Sequence, residues 1–165
     1  MRAAPTPGET TAQRPNINMP KQMAAATFLA FDYGEKYIGV AVGSRHTRRA
    51  EALTTLRGSA KNPDWVRLSK LIEEWRPDAL VVGLPLNMDG STNPMTRAAR
   101  AFGHRLKERY NLPVHMVDER LSTRVARDIL NEAGVPMRRH KSQLDQVAAQ
   151  TILQAYLNEL PGESP

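Results

Sequence analysis

Phe28-Leu29-Ala30-Phe31-Asp32-Tyr33-Gly34 sets one carboxylate at the end of an apolar run. From Thr27 to Tyr33 the stretch reads as a buried strand. A carboxylate among apolar side chains is costly unless something compensates its charge. A divalent cation is the obvious compensator, and hard oxygen donors suit Mg²⁺ or Mn²⁺. Gly34 would let a phosphate or a metal come close to the backbone. The plainer alternative is a strand-end aspartate that opens a tight turn.

Outward from this strand the fold class emerges. Gly34-Glu35-Lys36 is a turn, and Tyr37 to Gly43 is a second strand, β-branched and glycine-rich. Ala50 to Leu56 is a third strand, weaker, after the basic turn Arg45 to Arg49. Helices then alternate with strands. Asn62-Pro63 offers an N-cap and an N1 proline to a helix carrying Leu68, Leu71, Ile72 and Trp75. Ala79 to Leu84 is a buried strand. Asn93-Pro94 repeats the helix-start signal, and Ala98, Phe102, Leu106 and Tyr110 share one face. Pro113 to Val117 is the next strand. A helix is expected from Ser122 to Gly134 and another from Lys141 to Asn158. An antiparallel meander feeding β-α-β units predicts an α/β mixed five-stranded sheet with helices on both faces. Ligands of such sheets collect beyond the carboxyl ends of the strands.

The 165 residues suit one domain. Residues 1–26 hold Pro5, Pro7, Pro15 and Pro20 with no apolar period and read as a disordered tail. Residues 27–158 form the expected domain, and 159–165 a frayed end. Cys is absent, which excludes a disulfide framework, a zinc–thiolate site and a cysteine nucleophile. No segment approaches the roughly 18 apolar residues of a membrane span, and the N-terminus shows no apolar h-region, so a secretory signal is not expected. The formal charge of +6 favours a polyanionic partner, nucleic acid above all. Aromatic residues make up only 5%, so binding should run through phosphates and respond to salt.

Two further acidic stretches lie at the same predicted margin. Asp118-Glu119-Arg120 ends a strand just before a helix start. Strand alternation puts Asp118 and Glu119 on opposite faces and does not choose between them. Ser142-Gln143-Leu144-Asp145 fits a capping box, yet an acid on the inner face of a helix over that margin is also what a metal site needs. The loop Gly83 to Ser91 is polar and glycine-bearing, and could meet substrate phosphates through Asn87. Asp89 is either an extra ligand or part of an Asp-Gly turn. Arg45, Arg48 and Arg49 form one basic cluster, most simply a solvated one. Arg138, Arg139, His140 and Lys141 form another, placed to neutralise a nucleic-acid backbone.

Four motifs in this order resemble the YqgF (RuvX) family of pre-16S rRNA nucleases, also described as Holliday junction resolvases. They are Phe31-Asp32-Tyr33-Gly34 with Ile38-Gly39-Val40-Ala41, Val82-Gly83-Leu84-Pro85 with Asn87-Met88-Asp89-Gly90, Asp118 to Thr123, and Asp145 with Ala148-Ala149 and Ile152-Leu153. The match spans about residues 27–158. It implies a ribonuclease H-like fold and a cytoplasmic, metal-dependent nuclease of ribosome maturation. It also implies an acidic triad of Asp32, Glu119 and Asp145 holding one or two Mg²⁺ or Mn²⁺ ions. Related resolvases commonly carry a fourth acid near the last helix, where this chain has His140, Ser142 and Gln143. Structured pre-rRNA is the expected partner, branched DNA the alternative, with Arg120, Lys141, Arg138, Arg139 and Asn87 as the phosphate contacts. The protein would act as a monomer or homodimer. Two rivals are an ATP-binding phosphotransferase, for which a second lobe is missing, and a catalytically silent RNA-binding module.

Overall fold

Eight elements follow the expected order in the computed structural model, which describes residues 26–58, 62–120, 134 and 137–161, with the backbone alone over 137–145. They are β1 (Thr27–Tyr33), β2 (Tyr37–Ser44), β3 (Arg49–Arg57), α1 (Trp65–Trp75), β4 (Ala79–Leu84), α2 (Pro94–Tyr110), β5 (Val114–Asp118) and α3 (Met137–Glu159). The strands form one sheet in the order β3-β2-β1-β4-β5. β1 pairs antiparallel with β2, and β2 with β3. β4 lies parallel to β1 on one side and to β5 on the other. The meander and the crossovers thus meet at β1, the strand that carries Asp32. Ala26–Leu160 forms one compact unit. The expected tail and the helix expected over Ser122–Gly134 lie outside the described residues, save Ala26 and Gly134, as does most of the expected frayed end.

The two faces of the sheet are built differently. Alternation along β1 sends Leu29, Phe31 and Tyr33 to one side, where they meet Leu68 of α1 and Ala99, Phe102 and Leu106 of α2. Phe102 is 1% exposed and sits in an aromatic nest, with ring centroids 4.8 Å from Tyr33, 5.8 Å from Phe31 and 6.0 Å from Trp65. Phe28 and Ala30 point the other way, with Ala41, Ala50, Ala79 and Val81. This face is mostly alanine, so α3 settles close upon it through Ala149, Ile152, Leu153 and Leu157.

Helix boundaries differ instructively from expectation. α2 starts as read, with Asn93 and Thr96 forming a reciprocal capping box. α1 starts later than Asn62-Pro63 suggests. Its cap is Asp64, whose carboxylate accepts from the Arg67 N–H at 3.1 Å, while Pro63 is held in a bridge with Gly58. α3 starts four residues before Lys141, because arginine and lysine are good helix formers and the helix runs through the basic cluster. Ser142 and Asp145 are therefore interior helical positions, and the capping-box reading fails, since an N-cap has non-helical backbone.

The far end of α3 is fastened to the meander. Arg48 has a left-handed backbone (φ 57°), and its guanidinium donates to Leu157 O at 2.8 Å and Leu160 O at 3.1 Å. A cation there satisfies carbonyls that the helix end leaves open. Arg48 is thus a structural clamp and not a freely solvated charge. Gln154 accepts from Ala50 N–H at 3.0 Å and donates to Arg48 O at 2.9 Å, and Gln150 donates to Ala50 O at 3.1 Å. Phe102→Ala should cost about 3–5 kcal/mol by emptying the aromatic nest. A urea unfolding midpoint within error of the parent chain would contradict that assignment.

Candidate active site

Asp32 is the fourth residue on from Phe28 along β1, so it lies on the α3 face of the sheet with Phe28 and Ala30. Glu119 follows the last residue of β5, and its N–H continues the parallel ladder to Leu84 O at 3.2 Å. Two residues earlier Val117 packs in the α3-side core, and four earlier His115 stacks on Tyr156 of α3 with centroids 5.3 Å apart. Alternation therefore places Glu119 on the face of Asp32. The two carboxyls hydrogen-bond to each other. One of them must carry a proton for that contact to form.

Burial raises the Glu119 pKa above the ordinary carboxylate range. The hydrogen bond from Asp32 opposes this, and the nearby Asp118 charge reinforces it. The room for Glu119 is made by Gly83. A Cβ built on Gly83 would collide with Glu119 Oε2 and with Ile152 Cδ1. Any side chain there would push the ends of Glu119 and Ile152 aside, so glycine near the end of β4 lets the carboxyl and α3 close on the sheet as they do. Sequence reasoning misses this residue as a site position. Its one local signal is a glycine near the end of an otherwise β-branched and leucine-rich strand.

Asp118 takes a different part. It lies on the α2 face with Met116, whose Sδ would be 3.2 Å from a Cβ on Gly103. Arg120 grips its carboxylate through Nη2 at 2.6 Å and Nε at 2.9 Å, and its backbone N–H adds a bond at 3.0 Å. These hydrogen bonds lower the Asp118 pKa. Geometry gives the neighbouring acids different partners: Glu119 meets Asp32, and Asp118 is paired with Arg120.

Arg120 also donates to Met88 O at 3.3 Å, tying the end of β5 to the loop after β4. Asn87 organises that loop internally. Its amide donates to Ser91 Oγ at 2.9 Å and Thr92 O at 3.3 Å, and its oxygen accepts from Asn93 at 2.9 Å. Asp89 accepts from Ser91 N–H at 2.9 Å and from its hydroxyl at 2.6 Å. That turn lowers the Asp89 pKa and gives it a local task in place of metal ligation. Asp145 lies on α3, four residues before Ala149 and seven before Ile152. Arg138, Arg139 and Lys141 lie in the first turns of the same helix. The side chains of these four residues lie outside the described residues. Among the described residues no group of three or more acidic, His or Cys side chains stands together as a cation site.

The raised Glu119 pKa has a stability consequence. Above the ordinary glutamate range of about 4.3 the native state keeps a proton that the unfolded chain has lost, so stability should fall as pH rises through that window. In chelator, Glu119→Gln should flatten this fall and raise Tm at neutral pH by a few degrees, at roughly 2–4 °C per kcal/mol. An unchanged pH dependence of Tm would contradict the proton sharing.

Comparison with known proteins places this geometry in a lineage. A family model described as "RuvX: Holliday junction resolvase" matches residues 26–159. A protein of Nitrosococcus oceani named "Putative pre-16S rRNA nuclease" is 50% identical over 143 residues, covering 87% of this chain and 93% of its own length. One of the same name from Cronobacter sakazakii is 46% identical over 135 residues, covering 82% and 98%. Among solved structures, T. thermophilus RuvC in complex with Holliday junction substrate superposes with a TM-score of 0.51 at 14% identity, over 81% of this chain and 94% of that one. The fowlpox virus Holliday junction resolvase gives 0.51 at 13% identity, over 81% and 99%. At such identity these two structures share the fold, which is the ribonuclease H-like sheet expected from the motifs. With nearly the whole of Ala26–Leu160 matched by one family model and by relatives near half identity, the chain belongs to the RuvX family.

Proposed function

We propose that this protein is a metal-dependent nuclease that hydrolyses phosphodiester bonds of precursor 16S rRNA in the cytoplasm. The observation that carries the reading is the meeting of the Asp32 and Glu119 carboxyls at the carboxyl end of the sheet, on the face covered by α3. Two carboxyls in contact need a shared proton or a cation, and the Gly83 cradle holds one of them in place. Oxygen donors of this kind fit Mg²⁺ or Mn²⁺. Asp32, Glu119 and Asp145 would hold the ion or ions, Asp145 coming from α3, the helix that carries Ile152. A divalent ion bound there supplies activation of water and stabilisation of the leaving oxygen. Asp32 and Glu119 would hold it as carboxylates, without the proton they otherwise share. Arg120, braced by Asp118, and Asn87 hold the loop that borders the strand ends, while Arg138, Arg139 and Lys141 add positive charge at the start of α3 for the RNA backbone.

The relatives near half identity are named as pre-16S rRNA nucleases, which favours RNA. The second reading is cleavage of branched DNA, favoured by the description of the matching family. Incubating the purified chain with precursor rRNA and with four-way DNA junctions, in Mn²⁺ or in chelator, separates the two. The expected outcome is Mn²⁺-dependent cleavage of the RNA. Asp32→Asn should reduce cleavage more than about a hundredfold, beyond the roughly 10–100-fold usual for an outer-shell partner, with circular dichroism unchanged. Full activity in that variant would overturn the assignment, and salt-sensitive RNA binding without any cleavage would leave a binding module instead. Gly83→Ala should lower Tm and reduce cleavage, because its methyl group pushes the ends of Glu119 and Ile152 aside. A fully active, equally stable Gly83→Ala chain would contradict the cradle.

A further inference from the structure

The metal-site face is not the only surface suited to a polyanion. α2 carries Arg97, Arg100, Arg105, Lys107 and Arg109 against a single acid, Glu108. Its buried side is Thr96, Ala99, Phe102, Gly103 and Leu106, packed on the sheet. Along one flank of that buried side Arg97, Arg100, His104 and Lys107 are exposed and follow one another at steps of three or four residues, a continuous stripe about 15 Å long at about 1.5 Å per residue. Arg105 and Arg109 lean to the other flank, over Trp65 of α1, with Arg109 4.3 Å from the ring centroid. Among the described residues Arg97, Arg100 and Lys107 make no ion pair.

Helix electrostatics does not account for this distribution. Lys107 and Arg109 lie in the last turn, where cations suit the helix dipole. Arg97 and Arg100 lie near the opposite end, where the dipole favours anions, and the first turn contains no acid at all. The dipole thus gives these two charges no support, and they lie in the half of the helix that adjoins the strand ends. α2 begins at Asn93, which bonds to Asn87 in the loop clasped by Arg120 through Met88 O. The stripe starts at the strand ends that bear Asp32 and Glu119 and runs away from them along the opposite face.

We propose that Arg97, Arg100 and Lys107 bind the phosphate backbone of the RNA strand flanking the cleaved bond, so that the substrate wraps from the metal-site margin onto α2. The proposal rests on the nuclease reading above for its substrate, and its test needs no turnover. In full-length Asp32→Asn protein, binding to a fluorescein-labelled RNA hairpin with a single-stranded flank is measured by anisotropy across a salt series. Adding Arg97→Gln, Arg100→Gln and Lys107→Gln should weaken binding about tenfold and reduce the slope of log K against log salt by about two, at roughly 0.7 for each phosphate no longer neutralised. A control with the same charge removed elsewhere, Arg49→Gln, Arg57→Gln and Lys70→Gln, should weaken it far less. The charge-conserving set Arg97→Lys, Arg100→Lys and Lys107→Arg should restore both affinity and slope, which separates a missing phosphate pairing from a damaged fold. Equal weakening in the stripe and control variants, or an unchanged slope in the stripe variant, would overturn the proposal. Absence of cleavage by the parent chain would count against the nuclease reading alone, since the binding comparison stands without it.

Discussion

Two carboxyls brought into contact on a half-covered sheet face are the constraint around which this molecule is organised. Water would separate them, and burial without compensation would penalise whichever is charged. Three independent features hold them together. The parallel ladder fixes Glu119 beside Leu84, the alternation of β1 turns Asp32 to the same side, and the bare Gly83 lets the carboxyl and Ile152 share one space. The parallel strands come from crossovers that run through α1 and α2, so the aromatic core on the other face indirectly sets the register of the acids.

The sheet divides its labour by side-chain size. The face under α1 and α2 is large and aromatic, and among the described residues it buries the bulkier side chains. The face under α3 is lined by alanine, with glycine at β4, and so contributes less burial per residue. Small side chains bring a helix close enough to set polar groups against strand ends. Stability gathered on one side permits unfavourable charge on the other, as expected where a fold carries a site.

What is legible in the chain is local. The β1–β2 hairpin, the Asn93 cap and the apolar faces of the helices follow from neighbours within a few residues. Features set by distant partners are not. Asp118 and Glu119 look alike until α3 marks the face of the sheet that only Glu119 shares with Asp32. Ser142 and Asp145 satisfy a capping rule that the helix overrides by starting at Met137, as nothing at Ser142 interrupts good helix formers. Arg48 reads as one charge in a basic turn because its partners, the carbonyls of Leu157 and Leu160, lie more than a hundred residues further on. Gly83 belongs to the same class. Its meaning is a contact with Glu119 and Ile152, and no local pattern announces a side chain arriving from elsewhere.

The glutamines of α3 give the molecule a sealed border. A strand that borders a sheet exposes a row of donors and acceptors that can recruit a neighbouring polypeptide. At Arg48 and Ala50 those groups already pair with Gln150 and Gln154, whose amides imitate the backbone of an absent strand. An incoming chain would have to displace them and the helix behind them. Along that stretch the sheet is thereby withheld from runaway growth into fibrils, a safeguard supplied by the very helix that carries Asp145.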